Sequence, residues 1–333
     1  MGSKSLPRFA AAGAGRMGRS IAIALAYAGH RISLVDLRQR TADEVRQLRD
    51  DAHAEIVQSL RGLAQLGAVR NDQVEPIAAR VEFVDVAGAG AALAGVELVF
   101  EGVSETIQAK RDAFAQLGRW CSADTIIAST TSSIGAGTLA QMVERPERFL
   151  NMHWLNPAYL IPVVEIATHA GTAPVVLARA KTLMERIGKL PVVCSDTPGY
   201  IVPRLQALVM NEAARMIEEG AASAEEIDKA TRYGLGLRFA ALGVVEFIDF
   251  GGVDILHHAS REMSASIDAA RYAAPGNVDR LMAAGQLGLK TGSGFYDHSG
   301  RDVDAYRTDV LSRVLELLRH QGLWRAANDK TVD

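Results

Sequence analysis

Short apolar runs alternate with segments whose apolar residues recur at helical spacing along the first 195 residues of the chain. The runs predict buried strands at 9–12, 31–36, 80–85, 95–101, 124–129, 148–153, 163–167 and 190–194. The helical patterns lie between them, at 16–28, 41–66, 71–79, 105–120 and 175–187. This alternation predicts an α/β fold with a doubly wound, mainly parallel sheet and right-handed crossovers. The excursion from 41 to 79 predicts a helical hairpin that projects from the sheet.

The pattern changes after residue 195. Residues 196–199, DTPG, form a Pro/Gly breaker, and helical patterns dominate afterwards. These patterns lie at 205–217, 244–263, 277–284 and 302–320, and Ser223 with Glu226 fits a capping box that opens another helix. We therefore predict an α/β domain over 1–195 and an all-α domain over 196–333. An apolar helical unit commonly pairs with a second copy, so we expect a homodimer.

The turn after the first strand reads GAGRMG and fits the pattern G-x-G-x-x-G. A tight turn at Gly13, close approach of a pyrophosphate at Gly15 and helix-on-strand packing at Gly18 each require a small residue. Arg16 and Met17 lie inside the same loop, at the start of a helix whose N–H groups and dipole favour a phosphate pair. The stretch predicts dinucleotide binding in a Rossmann-type domain; the plainer alternative is an α/β core that binds no nucleotide.

The acidic residue that ends the second strand indicates which dinucleotide binds. Asp36 follows the glycine turn at a spacing of ~20 residues. A carboxylate at this spacing accepts hydrogen bonds from the adenosine ribose. A carboxylate there repels a 2′-phosphate, which favours NAD over NADP. Arg38 and Arg40 lie just beyond Asp36 and weaken this preference.

Composition narrows the classes of partner. The 333 residues are 48% hydrophobic, with a net charge of −3 and no basic run interleaved with aromatic residues, which argues against nucleic acid. Cys121 and Cys194 lack a metal-binding spacing, so we expect reduced thiols and no metal site. No apolar run reaches the ~20 residues that cross a bilayer. Residues 1–9 lack the apolar core of a signal peptide, and we expect a cytoplasmic protein.

Candidate acid–base chemistry lies around His153. This residue ends a predicted strand, Asn156-Pro157 makes a turn, and Glu165 lies on the next strand. If the two strands are neighbours, the Glu165 carboxylate meets the imidazole from behind, fixes its tautomer and stabilises the imidazolium. Hydride transfer from an alcohol needs such an oriented base, since the O–H proton must leave with the hydride. A histidine at a strand end is also commonly a structural hydrogen-bonding group, and spacing alone leaves both readings open.

These stretches resemble the L-3-hydroxyacyl-CoA dehydrogenase family, which shows H-x-x-N-P followed by P-x-V-E-[IV]. The resemblance extends over nearly the whole chain and includes the glycine turn, EGVSE at 101–105 with Lys110, ASTTSS at 128–133, HWLNP at 153–157, PVVEI at 162–166, DTPGY at 196–200 and LKTGSGFY at 289–296. It implies an NAD-dependent oxidoreductase that interconverts a 3-hydroxyacyl and a 3-oxoacyl group of a small-molecule substrate. Familiar members of the family act in fatty acid metabolism.

The resemblance also implies roles for individual residues. His153 matches the general base and Glu165 the carboxylate that orients it. Ser132 matches the hydroxyl that hydrogen-bonds the substrate oxygen, and Asn156 matches a substrate-binding position.

Two further residues, Glu105 and Lys110, match positions that line the nicotinamide side of the cofactor site. Plainer alternatives remain for both, and for Ser132. Glu105 and Lys110 fit a solvated helix pair, and Ser132 fits an N-cap for the helix after Ser133.

The chain departs from the family pattern at several positions. Pro203 stands where the family commonly has Asn, and it is compatible with a helix only in the first turn. Thr130 stands where the family usually has another Asn, and Trp154 and Leu155 replace paired phenylalanines. These changes indicate a specialised substrate or altered geometry rather than the fatty-acid enzyme.

The stretch GLGLRFAALG at 234–243 is similar to a motif of the family's small-hydroxyacid branches, such as carnitine and L-gulonate dehydrogenases. Arg238 would then clamp a substrate carboxylate; a surface arginine is the alternative. Basic residues on the 41–66 segment, Arg46, Arg49 and Arg61, are candidates for CoA phosphates, although acidic residues lie among them. A small free 3-hydroxy acid is therefore the alternative substrate. A redox-silent NAD-binding structural protein is a third reading.

Overall fold

The computed structural model describes residues 7–325, in two compact units that divide between Val209 and Met210. Within the described residues, the first unit contains an eight-stranded sheet. Its strands are β1 (Phe9–Ala12), β2 (Ile32–Val35), β3 (Val81–Val84), β4 (Leu98–Glu101), β5 (Ile126–Ser129), β6 (Phe149–Trp154), β7 (Val163–Thr168) and β8 (Leu190–Ser195). The spatial order is β3-β2-β1-β4-β5-β6-β7-β8.

The helices of the first unit alternate with the strands. They are α1 (Arg16–Tyr27), α2 (Ala42–Gln65), α3 (Val74–Ala78), α4 (Ala89–Leu93), α5 (Ile107–Trp120), α6 (Ala136–Ala140) and α7 (Pro174–Arg186), with 3₁₀ turns at Asn71–Gln73 and Pro146–Arg148. Helix α8 (Val202–Glu218) runs across the division between the units. The predicted strands and helices of this unit are confirmed to within a few residues at their ends.

Strands β1 to β6 are parallel, β7 is antiparallel to β6, and β8 is parallel to β7. The predicted doubly wound, mainly parallel sheet is therefore confirmed. Every residue of β1, β4 and β5 is buried, which explains why these strands read as continuous apolar runs rather than alternating ones. The strand order reverses between β1 and β4, and in such sheets this is where ligands bind, beyond the carboxyl ends of the strands.

Two apolar layers cover the sheet. One contains buried residues of α1, α2, α3 and α7, and the other contains buried residues of α4, α5 and α6. Thr41 begins α2 through a capping box, its hydroxyl accepting from the N–H of Glu44 while the Glu44 carboxylate accepts from the N–H of Thr41. Helix α2 joins the core from Ala52 onward, through Ala52, Ile56, Val57, Leu60 and Leu63, and Leu48 packs against the same core. The predicted hairpin is thus embedded over that stretch, and its second helix, α3, is a single short turn.

The second unit is helical. Its helices are α9 (Ala224–Ala230), α10 (Leu237–Ala241), α11 (Val244–Gly251), α12 (Val253–Ser266), α13 (Ala269–Tyr272), α14 (Gly276–Ala283) and α15 (Val303–His320), with a π-helical turn at Thr231–Gly236 and a 3₁₀ turn at Leu289–Thr291. The single helix expected over 244–263 is wrong. The chain breaks at Gly252, whose φ of +119° lies outside helical space, so α11 and α12 are separate.

The glycine-rich segment near the end of the second unit packs on a buried carboxylate. Asp249 on α11 accepts hydrogen bonds from the N–H groups of Phe295 (2.9 Å) and Tyr296 (2.8 Å) and lies 3.0 Å from His298 Nε2. A Cβ at Gly294 would lie 2.4 Å from the same carboxylate. The LKTGSGFY pattern therefore serves the folding of the second unit. None of the helices within residues 7–325 is long and apolar enough to span a membrane.

Candidate active site

The turn after β1 has the geometry that its glycines predict. Gly13 has a φ of +117°, and its N–H donates to the carbonyl of Val35 at 2.8 Å. A Cβ at Gly18 would lie 2.0 Å from the Gly13 carbonyl oxygen, so only glycine fits there. A Cβ at Gly15, in contrast, would meet no atom within 4 Å. The space above Gly15 is open to a ligand, and the first N–H groups of α1 lie at the same turn.

Asp36 lies beside this turn. Its side chain is almost fully buried, and it lines a cavity of about 260 Å³ together with Gly13, Gly15, Gly102 and Ser104. A carboxylate, an open glycine backbone and a helix N-terminus within one cavity are the donor and acceptor set that a dinucleotide requires. These residues fit NAD. Arg16 is exposed at the start of α1, whereas Met17 is partly buried against the core.

His153 and Glu165 lie directly opposite each other on neighbouring strands. They are register partners in the antiparallel pair of β6 and β7. His153 Nδ1 lies 2.8 Å from Glu165 Oε2, and both side chains are buried. Within residues 7–325, His153 Nε2 has no hydrogen-bond partner. The carboxylate therefore fixes the orientation of the imidazole and leaves Nε2 outside the pair, an arrangement that is chemically able to transfer a proton.

The second oxygen of Glu165 is also fully used. Oε1 accepts from the N–H groups of Ile201 (2.9 Å) and Val202 (2.7 Å), at the start of α8. A helix N-terminus stabilises a negative charge, so the fold supports a buried carboxylate at this position. Pro203 is the second residue of α8. It therefore lies in the first turn, the part of a helix in which proline is tolerated.

Tyr200 fixes the face of the His153 ring. The two rings stack with centroids 4.8 Å apart and an interplanar angle of 11°. The Tyr200 hydroxyl donates to the Thr131 carbonyl (2.8 Å) and accepts from Asn151 Nδ2 (3.2 Å), and burial raises the pKa of this phenol. Sequence reasoning gave Tyr200 no role. The only signal was its place at the end of the DTPGY stretch, and its contact with His153 is non-local.

Glu105 organises the loop after β5. Its Oε1 accepts from the Thr131 hydroxyl, from the N–H of Ser132 (3.1 Å) and from the N–H (3.3 Å) and hydroxyl (2.9 Å) of Ser133. Burial alone raises the pKa of Glu105, but the hydrogen bond from Thr131 and the charge of Lys110 outweigh it, and the pKa is lowered. The loop that carries Ser132 is thereby held to the connection between β4 and α5.

Ser132 is not an N-cap. Helix α6 begins at Ala136, and the Asp196 carboxylate accepts from the N–H groups of Ala136 (2.6 Å) and Gly137 (2.7 Å). The N-cap alternative for Ser132 is therefore wrong. The residue is exposed, and together with Tyr200 it lines a small cavity of about 40 Å³.

Lys110 is buried, so the alternative of a solvated helix pair is wrong as well. Its ammonium donates to both oxygens of Glu101 (3.2 and 3.1 Å) and lies 3.3 Å from Glu105 Oε2. Ser129 joins this cluster through a 2.6 Å hydrogen bond to Glu101. Lys110 thus contacts Glu105, which anchors the 131–133 loop.

The loop after β6 depends on another buried lysine. Lys189 Nζ donates to the carbonyls of Ala158 (2.6 Å) and Ile161 (2.8 Å) and lies 5.6 Å from the ring of Trp154. Burial lowers the pKa of this lysine. Asn156, exposed in this loop, precedes a cis peptide bond to Pro157.

Arg238 lies in the second unit, on α10 immediately after the π-helical turn. The residue is exposed, and its guanidinium lies 5.7 Å from the ring centroid of Phe247. Within residues 7–325 it forms no ion pair with a carboxylate.

The chain is similar to known dehydrogenases over most of its length. The family model of the 3-hydroxyacyl-CoA dehydrogenase NAD-binding domain matches residues 8–197, and that of the C-terminal domain matches 199–298. Pig mitochondrial hydroxyacyl-coenzyme A dehydrogenase is 32% identical, covering 86% of this chain and 89% of the relative. The 5-formyl-3-hydroxy-2-methylpyridine 4-carboxylate 5-dehydrogenase of Mesorhizobium japonicum is 29% identical, over 92% and 96%. The crystal structure of 3-hydroxyacyl-CoA dehydrogenase from Archaeoglobus fulgidus has a TM-score of 0.74 at 27% identity, over 96% and 100%.

Proposed function

Because the chain belongs to the 3-hydroxyacyl-CoA dehydrogenase family and is an NAD-dependent oxidoreductase acting on CH–OH, we propose that it interconverts a 3-hydroxyacyl and a 3-oxoacyl group with His153 as general base. The observation that supports this proposal most strongly is the 2.8 Å contact between His153 Nδ1 and Glu165 Oε2. It leaves Nε2 as the basic nitrogen, and the Glu165 contact together with the stacking of Tyr200 limits rotation of the ring.

In the proposed reaction His153 Nε2 takes the hydroxyl proton of the substrate. NAD⁺, when bound, supplies the hydride acceptor. Glu165 keeps Nδ1 protonated and stabilises the imidazolium that forms, and Tyr200 limits rotation of the ring. In the reverse direction the imidazolium returns its proton to the 3-oxo oxygen.

Ser132 and Asn156 are assigned to the substrate by the same proposal. Both are exposed, and each lies on a loop that another side chain braces: Glu105 holds the Ser132 loop, and the buried Lys189 holds the Asn156 loop. Positioned hydroxyl and amide groups orient a substrate oxygen without reorganising during the reaction. Gly13, Gly15, Gly18 and Asp36 are assigned to NAD, with Arg16 and Met17 at the same turn.

The test is turnover of acyl-CoA substrates by wild type and by His153→Gln. Acetoacetyl-CoA and longer 3-oxoacyl-CoA thioesters are supplied with NADH, and loss of NADH absorbance is followed. We expect turnover by wild type and a roughly 10²- to 10⁴-fold lower kcat for the variant, the usual contribution of a general base. NADH binding, measured by its fluorescence, stays within about twofold. Near-wild-type turnover by the variant contradicts the assignment of His153, and NADH binding with no turnover favours the redox-silent reading.

A second candidate keeps this chemistry but uses a small free 3-hydroxy acid. Two of the three arginines proposed for CoA phosphates are in ion pairs: Arg46 with Asp43, and Arg61, whose Nη2 lies 3.5 Å from Glu75. Arg49 and Arg238 each lie 5.7 Å from an aromatic ring centroid, and neither forms an ion pair within the described residues. The Mesorhizobium relative is named for a substrate that carries a free carboxylate.

Comparing 3-oxoacyl-CoA thioesters with the matching free acids separates the two candidates. If a free acid is the substrate, Arg238→Ala raises KM for it by roughly 10- to 100-fold, because a charge-assisted pair is lost. Arg232→Ala, a nearby exposed arginine that stacks on Tyr233, is the matched control. Equal KM values in both variants contradict a role for Arg238.

We also propose that the helical unit forms a homodimer. Within residues 210–325 the buried apolar side chains are few, namely Ile227, Leu237, Ala241, Leu242, Val253, Val278, Leu289 and Val310. Large apolar residues are exposed on several helices of this unit, including Met210, Ile217, Ile255 and Leu311. A helical unit with so small a core of its own needs a partner to cover its apolar faces. Sedimentation equilibrium of wild type, with Ile255→Glu as the variant, tests this; a monomeric wild type contradicts it.

A further inference from the structure

The carboxylate that receives the adenosine ribose is paired with an arginine of its own chain. Arg40 Nε donates to Asp36 Oδ2 at 2.5 Å. The other oxygen, Oδ1, has only a 3.4 Å contact with the N–H of Arg38. Asp36 is therefore able to accept a ribose hydroxyl through Oδ1, but its negative charge is balanced locally.

A second arginine lines the same cavity. Arg38 is exposed, and its Nη2 lies 3.4 Å from the Ser104 hydroxyl. Within residues 7–325, neither Arg38 nor Arg40 uses its remaining guanidinium N–H groups. Guanidinium is the side-chain group best suited to bind phosphate oxygens through paired hydrogen bonds.

The charged groups around Arg38 and Arg40 differ in their partners. Arg19, which also lines it, pairs with Glu55 at 2.5 Å. Glu44 does not line the cavity, and its carboxylate is held in the capping box with Thr41, whose hydrogen bonds, with the charge of Arg40, lower the pKa of Glu44. Among the side chains that line the cavity, apart from the paired Arg19, one carboxylate, Asp36, thus faces two arginines, Arg38 and Arg40. An exclusively NAD-binding site has the opposite balance, a carboxylate that repels a 2′-phosphate.

We propose that Arg38 and Arg40 form a 2′-phosphate subsite, so that this protein binds NADP(H) as well as NAD(H). Asp36 serves the ribose hydroxyl of NAD(H), and the two guanidinium groups, with the Ser104 hydroxyl, serve the phosphate of NADP(H). The alternative is that Arg40 only braces Asp36, in which case its removal weakens NAD(H) binding first. The proposal rests on the NAD site alone and is independent of the substrate.

Direct binding distinguishes these outcomes without any turnover. NADH and NADPH are titrated into the full chain by nucleotide fluorescence, and adenosine 2′,5′-bisphosphate and 5′-AMP are titrated as competitors. We expect the NADPH Kd of wild type to lie within about 30-fold of the NADH Kd. Arg38→Gln and Arg40→Gln should each raise the Kd of NADPH by roughly 10- to 100-fold, the range of one charge-assisted phosphate contact. The Kd of NADH should change by less than about threefold in both variants.

The matched control is Arg70→Gln, since Arg70 is an exposed arginine that pairs with Asp72 and does not line the cavity. It should leave both Kd values unchanged. In wild type, raising the salt concentration should weaken NADPH binding more than NADH binding, because exposed charges are screened. This difference between the two nucleotides should be smaller in Arg40→Gln. A wild-type preference for NADH above about 30-fold overturns the proposal. So does an Arg40→Gln variant that loses NADH affinity as much as NADPH affinity, which would assign Arg40 to bracing Asp36.

Discussion

The imidazole of His153 and the carboxylate of Glu165 are joined by the sheet itself. The two residues are opposite each other in the antiparallel register of β6 and β7, and their side chains meet at 2.8 Å. Side chains opposite each other in an antiparallel pair point to the same face, so this register brings base and carboxylate together with no contribution from a flexible loop. The start of α8 then holds the second carboxylate oxygen.

Glu165→Gln tests the tautomer that this pair fixes. The Gln carbonyl oxygen can still accept from Ile201 and Val202, which turns its amide N–H₂ toward His153 Nδ1 and leaves the ring proton on Nε2. We expect kcat to fall roughly 10²- to 10⁴-fold, since a protonated Nε2 cannot act as a base. The readout is kcat together with the NADH Kd, which should stay within about twofold. Glu185→Gln, at an exposed position of α7, is the control. A variant with unchanged kcat contradicts the mechanism.

Gly15→Ala and Gly18→Ala should have opposite consequences. The Cβ at Gly15 meets nothing within 4 Å, so the free energy of unfolding should stay within about 0.5 kcal/mol of wild type. NADH binding should weaken more than tenfold, because the Cβ occupies the space of the pyrophosphate. The Cβ at Gly18 lies 2.0 Å from the Gly13 carbonyl oxygen and should destabilise the fold by about 1–3 kcal/mol or more. Urea denaturation and NADH titration measure both effects. Wild-type NADH affinity in Gly15→Ala would show that the cofactor does not bind at this turn.

Tyr200→Phe removes the hydroxyl that links the ring stacked on His153 to the Thr131 carbonyl. The Thr131 carbonyl then loses its buried donor, and we expect the free energy of unfolding to fall by about 1–3 kcal/mol. Tyr27→Phe is the control, because its hydroxyl makes only a 3.3 Å exposed contact with the Ala68 carbonyl, and its effect should stay below about 0.5 kcal/mol. Equal effects of the two substitutions on the free energy of unfolding would argue against a stabilising hydrogen bond from Tyr200 to the Thr131 carbonyl.

Glu105→Gln should change the acid dependence of stability. The pKa of Glu105 is lower in the folded protein than in the unfolded chain, so ionised Glu105 stabilises the fold above its unfolded pKa of about 4.5. This contribution is lost as the pH falls through the folded pKa. The difference between wild type and Glu105→Gln in urea midpoint should therefore be largest near pH 7 and shrink below about pH 4.5. The residue is partly exposed, so we expect a difference of about 1 kcal/mol or less at pH 7. A difference that is independent of pH excludes the charge as its origin.

Much of the fold could be predicted from the sequence because the signals are local. Buried parallel strands read as apolar runs, and the glycines of the turn after β1 are fixed by backbone sterics at Gly13 and Gly18. The break at Gly252 was missed, because the apolar pattern continues across it and only the backbone conformation separates α11 from α12. The burial of α2 from Ala52 onward was missed for a related reason: periodicity shows which face is apolar but not how much of the helix the core covers.

The sequence by itself determined the order of strands and helices, the glycine turn with Asp36, and the candidate pair His153 and Glu165. Tertiary structure decided what the remaining polar residues do. Only the folded chain stacks Tyr200 on His153, buries Lys110 and Lys189, assigns Asp196 to cap α6, and pairs Arg40 with Asp36. The physical reason is that backbone preferences and apolar periodicity act over a few residues, whereas a polar side chain takes its role from partners that lie far away in sequence.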